Sequence, residues 1–202
     1  VSMVDNFLFA LRGLPITNPD LSAWNMRRAR NLSRCFADCG QFNGNVSTWN
    51  TANVTNMSGV FANCFEFNGN LSEWNTSKVT TFRDMFEEAT EFNQPVGSWD
   101  TSSAEDMSGM FAGCTSFNQP LNDWDVSNVK FFGAMFKRCV AFNQPLDRWT
   151  PVTVRGAGNM FKDAKSFDQD ISGWKFHKFY DSRHDMFAGN TSIKDEFKPT
   201  IV

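Results

Sequence analysis

Few residues in this 202-residue chain are of the kinds that do chemistry, and both histidines stand near one end of it. His177, Asp181, His184 and Asp185 offer imidazole nitrogens and carboxylate oxygens, the donors that zinc takes. Their order follows no established ligand pattern, and a degenerate end of the chain accounts for them without a metal. Five cysteines form no CxxC pair: Cys35 and Cys39 are separated by three residues, and the others stand a repeat or more apart. Such spacing gives little support to a zinc site and reads as small buried hydrophobes carrying free thiols. There is no GxGxxG, P-loop, GxSxG or HExxH, and nothing between residues 40 and 170 interrupts the pattern as a catalytic constellation would. The expectation is a protein that is not an enzyme, with no catalytic residues, cofactor or metal. The remaining chemistry is charge. Arg27, Arg28, Arg30 and Arg34 cluster near the start, either as a patch for an acidic partner or anionic headgroups or as a solvated end face.

The elements that position these residues follow from one spacing. All seven tryptophans, Trp24, Trp49, Trp74, Trp99, Trp124, Trp149 and Trp174, stand 25 residues apart. A fixed period of this size marks stacked supersecondary units, each burying its apolar face on its neighbours. Further columns run beside the Trp column. Leu21, Val46, Leu71, Val96, Leu121, Leu146 and Ile171 lie three residues before it, and Met-Phe pairs such as Met85-Phe86 and Met110-Phe111 follow. A small column (Cys39, Cys64, Ala89, Cys114, Cys139, Ala164) precedes a second phenylalanine column from Phe42 to Phe167. A polar column, Asn43, Asn68, Asn93, Asn118, Asn143 and Asp168, is as regular and predicts a ladder of amides satisfying a buried corner.

Within one repeat, Val54, Met57, Val60, Phe61, Cys64 and Phe67 fall close to a helical face, while Gly59, Gly109, Gly113 and Gly133 oppose a long regular helix. The prediction is a short α or 3₁₀ turn around the Met-Phe pair, then a turn, then a strand over Leu-x-x-Trp paired in parallel at about 4.8 Å. The fold class is therefore an α/β repeat solenoid of about seven 25-residue rungs. Residues 1–20 form an N-terminal cap, 21–176 the solenoid, and 177–202 a degenerate last rung with a C-terminal cap or tail.

The pattern Val-x-x-Met-x-x-Met-Phe-x-x-Cys-x-x-Phe-Asn-x-x-Leu-x-x-Trp resembles the bacterial surface protein repeat of 25 to 26 residues. That repeat is grouped with BspA-like leucine-rich repeats, found in Mycoplasma and Listeria surface lipoproteins, with similar arrays in algae and other protists. The resemblance covers residues 20 to 193. It implies a right-handed leucine-rich-repeat-like stack with a parallel sheet, a role in surface adhesion or protein binding, and no catalytic residues.

A formal net charge of −3 gives no case for nucleic acid or an acidic membrane surface as partner. No run reaches membrane-spanning length, and residues 1–20 contain no signal-peptide core with a cleavage site. An ice-binding face is set aside: Thr51, Thr76 and Thr101 align, but Val126 and Pro151 end the row. Protein binding remains. The variable column just before each Trp, Thr48, Glu73, Ser98, Asp123 and Arg148, is the candidate partner face, with Arg27 and Arg28 as a second patch. A second variable strip follows each Met-Phe pair, from Ala62-Asn63 through Glu87-Glu88 to Lys162-Asp163. Two functions fit: a recognition or adhesion module at a cell surface, or a structural subunit docked within a larger intracellular or organellar assembly.

Overall fold

The computed structural model describes residues 5–21, 23–176 and 184–201. Its unit is a 25-residue coil, and successive coils lie in register. The Phe61 N–H donates to Met85 O, Phe86 N–H to Met110 O and Phe111 N–H to Met135 O, each at 2.9 Å.

The α/β solenoid with a parallel sheet does not form. Among the described residues there is no α-helix, and the one 3₁₀ turn is Asp195–Phe197, far from any Met-Phe pair of the repeats. Strands among the described residues are β1, Lys175–Phe176, and β2, Thr200–Ile201, which pair in parallel. Between these repeats, neighbouring coils share only isolated parallel bridges, running from Asn6 through Asn31, Asn56, Thr81, Asp106 and Phe131 to Gly156.

Backbone sign explains the difference. Where a helical turn was expected, each coil holds two residues at positive φ, such as Gly59 and Asn63, Asp84 and Glu88, or Ala134 and Arg138. A left-handed residue cannot continue a right-handed helix. Hydrogen bonding alternates instead: Met57, Gly59, Phe61 and Asn63 donate to the next coil, while Val60, Ala62 and Cys64 close turns inside their own. The Leu-x-x-Trp segment is likewise a turn, not a strand, with Trp74 N–H donating to Leu71 O at 3.1 Å. The same carbonyl accepts the indole N–H of Trp99 in the next coil at 3.0 Å, so it is engaged before any ladder can use it. This bond repeats from Trp49 to Trp174 at 2.9–3.3 Å, and phenylalanine in its place would have no donor.

Aromatic columns fill the interior. Phe36, Phe61, Phe86, Phe111, Phe136, Phe161 and Phe187 stack with centroids 5.4–5.8 Å apart. A second column, Phe42 to Phe167, stacks at 5.9–6.0 Å. Each fully buried ring contributes roughly 1.5–3 kcal/mol. Trp24, Trp49 and Trp74 form one stacked run and Trp124, Trp149 and Trp174 another, while Trp99 between them packs on Phe82 and Phe86. The five cysteines are buried and free. Cys39, Cys64, Cys114 and Cys139 donate their thiols to carbonyls of the preceding coil.

Candidate partner-binding surfaces

Apolar columns point inward, so function must be sought in the columns between them. Thr48, Glu73, Ser98, Asp123 and Arg148 are all exposed and follow one another along the coils. They occupy turn positions between two buried residues, the aliphatic and the Trp, which fixes their outward direction. They are not on a strand as expected. Arg148 pairs with Asp123 one coil earlier, and its backbone N–H donates to Asn122 Oδ1 at 3.0 Å. Glu73 has no ion-pair partner among the described residues.

The amide ladder forms, though at a solvent-facing corner and not a buried one. Asn43 Oδ1 accepts the N–H of Asn68, and the bond repeats through Asn93, Asn118 and Asn143 to Asp168 at 3.0 Å. Gln94 and Gln119 add their side-chain amides to the same oxygens of the column. The side-chain oxygens of these asparagines are thus engaged by backbone N–H groups. After each Trp from Trp24 to Trp124, an Asn or Asp side chain accepts from the amide two residues on, as Asn50 does from Ala52 and Asp100 from Ser102. Thr51, Thr76 and Thr101 are buried and donate to the next coil's backbone, so they make no outer face.

On the left-handed columns, charge is paired along the stack. Asp38 accepts from Arg12 and from Asn63 at 2.8 Å, and the Arg12 bond, with help from Asn63, holds its carboxyl below the ordinary range. Glu88 pairs with Arg138 two coils away, across Gly113. A Cβ on Gly113 would lie 2.6 Å from the Glu88 carboxylate, so the glycine opens the slot that this pair crosses. Burial, then the neighbouring charges of Asp84 and Glu88, push the Glu87 carboxyl up. Sequence reading missed this pair, although opposite charges 50 residues apart around a glycine were its signal.

Arg27, Arg28 and Arg30 line one recess of about 180 Å³ together with Asp5 and Asn53. Arg34 does not join them; it lies in the left-handed column beside Gly59. Of the imagined metal cluster, His177 and Asp181 lie outside the described residues. His184 and Asp185 are exposed, and no group of three or more metal-ligating side chains occurs among the described residues. Among the described residues, no helix is long and apolar enough to cross a membrane.

Comparison with known proteins gives a family model that matches the chain twice, over residues 5–111 and 94–199. Its description is a Mycoplasma protein of unknown function, DUF285. The Mycoplasma part of the expected resemblance thus has support, while the leucine-rich α/β form does not. No curated protein matches the chain.

Proposed function

The chain belongs to this DUF285 repeat family, and on its geometry we propose a non-catalytic protein-recognition module that reads its partner through the column Glu73, Ser98, Asp123 and Arg148. Surface recognition or adhesion, in kinship with BspA-like surface repeats, is the setting of that role. One observation carries it: the column is exposed in coil after coil, and its chemistry changes among acid, hydroxyl and base while the aliphatic residue two before and the Trp just after stay buried. A stack whose framework is held by Trp, Phe and Asn tolerates any side chain there.

The test places a photocrosslinking residue at Ser98, with a control at exposed Glu66 away from the column. Extract of the source cells should give a discrete crosslinked protein from position 98 alone, and Glu73→Lys with Asp123→Lys should weaken it. Identical bands from both positions, or indifference to charge reversal, sink the proposal. Breaking the exposed Asp123–Arg148 pair costs well under about 1 kcal/mol, so the variant remains folded. A structural role inside an assembly is the second reading, favoured by Leu8, Phe9 and Leu14, which stand exposed together near one end of the stack. A fixed complex in native purification would support that reading.

A further inference from the structure

Most basic groups that approach a carboxylate on this surface are paired with it: Arg12 with Asp38, Lys130 with Glu105, Arg138 with Glu88, Arg148 with Asp123 and Lys198 with Asp195. The recess at Arg27, Arg28 and Arg30 differs. Among the described residues, none of its three guanidiniums is in an ion pair, and Asp5 is the one carboxylate on its wall. Its floor is fixed. Asn53 donates through Nδ2 to Arg27 O at 3.0 Å and accepts from Lys78 Nζ at 2.9 Å, which tethers a fourth cation beside the three arginines. The backbone beneath is engaged too, since Arg30 O accepts the Thr55 N–H at 2.9 Å and the Arg27 N–H donates to Asn25 Oδ1 at 3.2 Å.

Three guanidiniums against the single Asp5 carboxylate leave a net positive recess whose like charges repel one another, and an anion in their midst relieves that repulsion. Guanidinium presents planar forked donors that match the paired oxygens of a phosphate or sulfate, and the recess volume suits one such group. In later coils the positions of Arg27 and Arg28 hold Ala52 and Asn53, then Ser77 and Lys78, then Ser102 and Ser103, so the cluster is local to one coil. We infer that the recess lined by Arg27, Arg28, Arg30 and Asn53 is a binding site for a tetrahedral oxyanion, the phosphate or sulfate group of a larger ligand. This goes beyond the recognition column, and crosslinking at Ser98 reads a different surface, so either proposal can fail alone.

The experiment is calorimetric titration of the full chain with inorganic phosphate and with inorganic sulfate, against sodium chloride at matched ionic strength. Saturable binding of at least one oxyanion is expected. Arg28→Gln and Arg30→Gln should each weaken it about tenfold, the loss of one charge-assisted hydrogen bond. Arg155→Gln, in the Arg30 column five coils away, should leave it unchanged. Glucose 6-phosphate and glucose 6-sulfate then distinguish the two sources, with tighter binding of either ester identifying the group. Heats no larger than those of chloride overturn the site, as does an equal loss in Arg155→Gln. All three arginines are exposed, so the variants keep the fold, which circular dichroism checks.

Discussion

Gly113 sits at φ +76° with the Glu88 carboxylate lying over it on the way to Arg138. Gly113→Ala meets two penalties there, a left-handed backbone and a contact at 2.6 Å, and should destabilise by about 1–3 kcal/mol in urea unfolding. Gly173 lacks both features, with open space where its Cβ would be, and Gly173→Ala should stay within about 0.5 kcal/mol of the parent. Equal effects at the two glycines would remove the slot as the cause. The thiols make a second residue-scale case. Burial pushes Cys35 up to about 12 and raises Cys64, Cys114 and Cys139 further in the same direction. Their folded pKa values exceed the unfolded ones, so their contribution is fully present below the ordinary thiol range and is lost as pH rises above it. Stability should therefore fall above about pH 9, and a thiol reagent at pH 8 should label the protein only after denaturant is added. Rapid labelling of the native chain would contradict the burial.

At the scale of the coil, the amide ladder is the element most open to test. Asn93 Oδ1 accepts from the Asn118 N–H and the Gln119 amide, so Asn93→Leu should cost about 1–2 kcal/mol, discounted for its half-buried setting. Asn93→Asp should be nearly neutral, since Asp168 stands in that column and its Oδ1 still accepts the Lys194 N–H at 3.3 Å. Denaturation midpoints of both variants decide this, and a neutral Leu would make the ladder decorative. The ladder and the Phe and Trp columns are legible in the sequence because register is a matter of spacing, and side chains 25 apart meet in any in-register stack. The coil's path is not legible. Left-handed backbone is announced by Gly59, Gly109 and Gly113, but Asp84, Glu88, Ala134 and Arg138 adopt it without any signal of their own. Apolar residues at helix-like intervals therefore mark a run of turns. Leu-x-x-Trp misleads for a related reason: as a strand it would put Leu71 and Trp74, three apart, on opposite faces, and only the turn that buries both, with the indole's claim on the Leu carbonyl, fits the stack. The candidate surfaces are legible as exposed variable positions. The recess needs the fold, because Asn53 reaches Arg27 from the next coil and Lys78 reaches Asn53 from the one after.

For the molecule as a whole, nearest-neighbour stacking implies that a complete unit can be removed. Excising residues 97–121 joins Val96 to Asn122 and keeps every column in register. The shortened chain should fold cooperatively, with a denaturant slope smaller by about one-seventh. Removing residues 97–120 instead shifts every later column by one and should leave the protein unable to unfold in a single transition. If both shortened chains behave alike, register is not what organises the stack.

The tryptophan rows carry an optical consequence. Stacked indoles 5.8–6.4 Å apart, their planes within 10° of parallel, exchange excitation faster than they emit it. Light absorbed by Trp49 is shared with Trp24 and Trp74, and because the rings repeat in one orientation the emission keeps its polarisation despite the hopping. Fluorescence anisotropy should therefore change little when excitation moves to the red edge of the absorption band, where such hopping ceases.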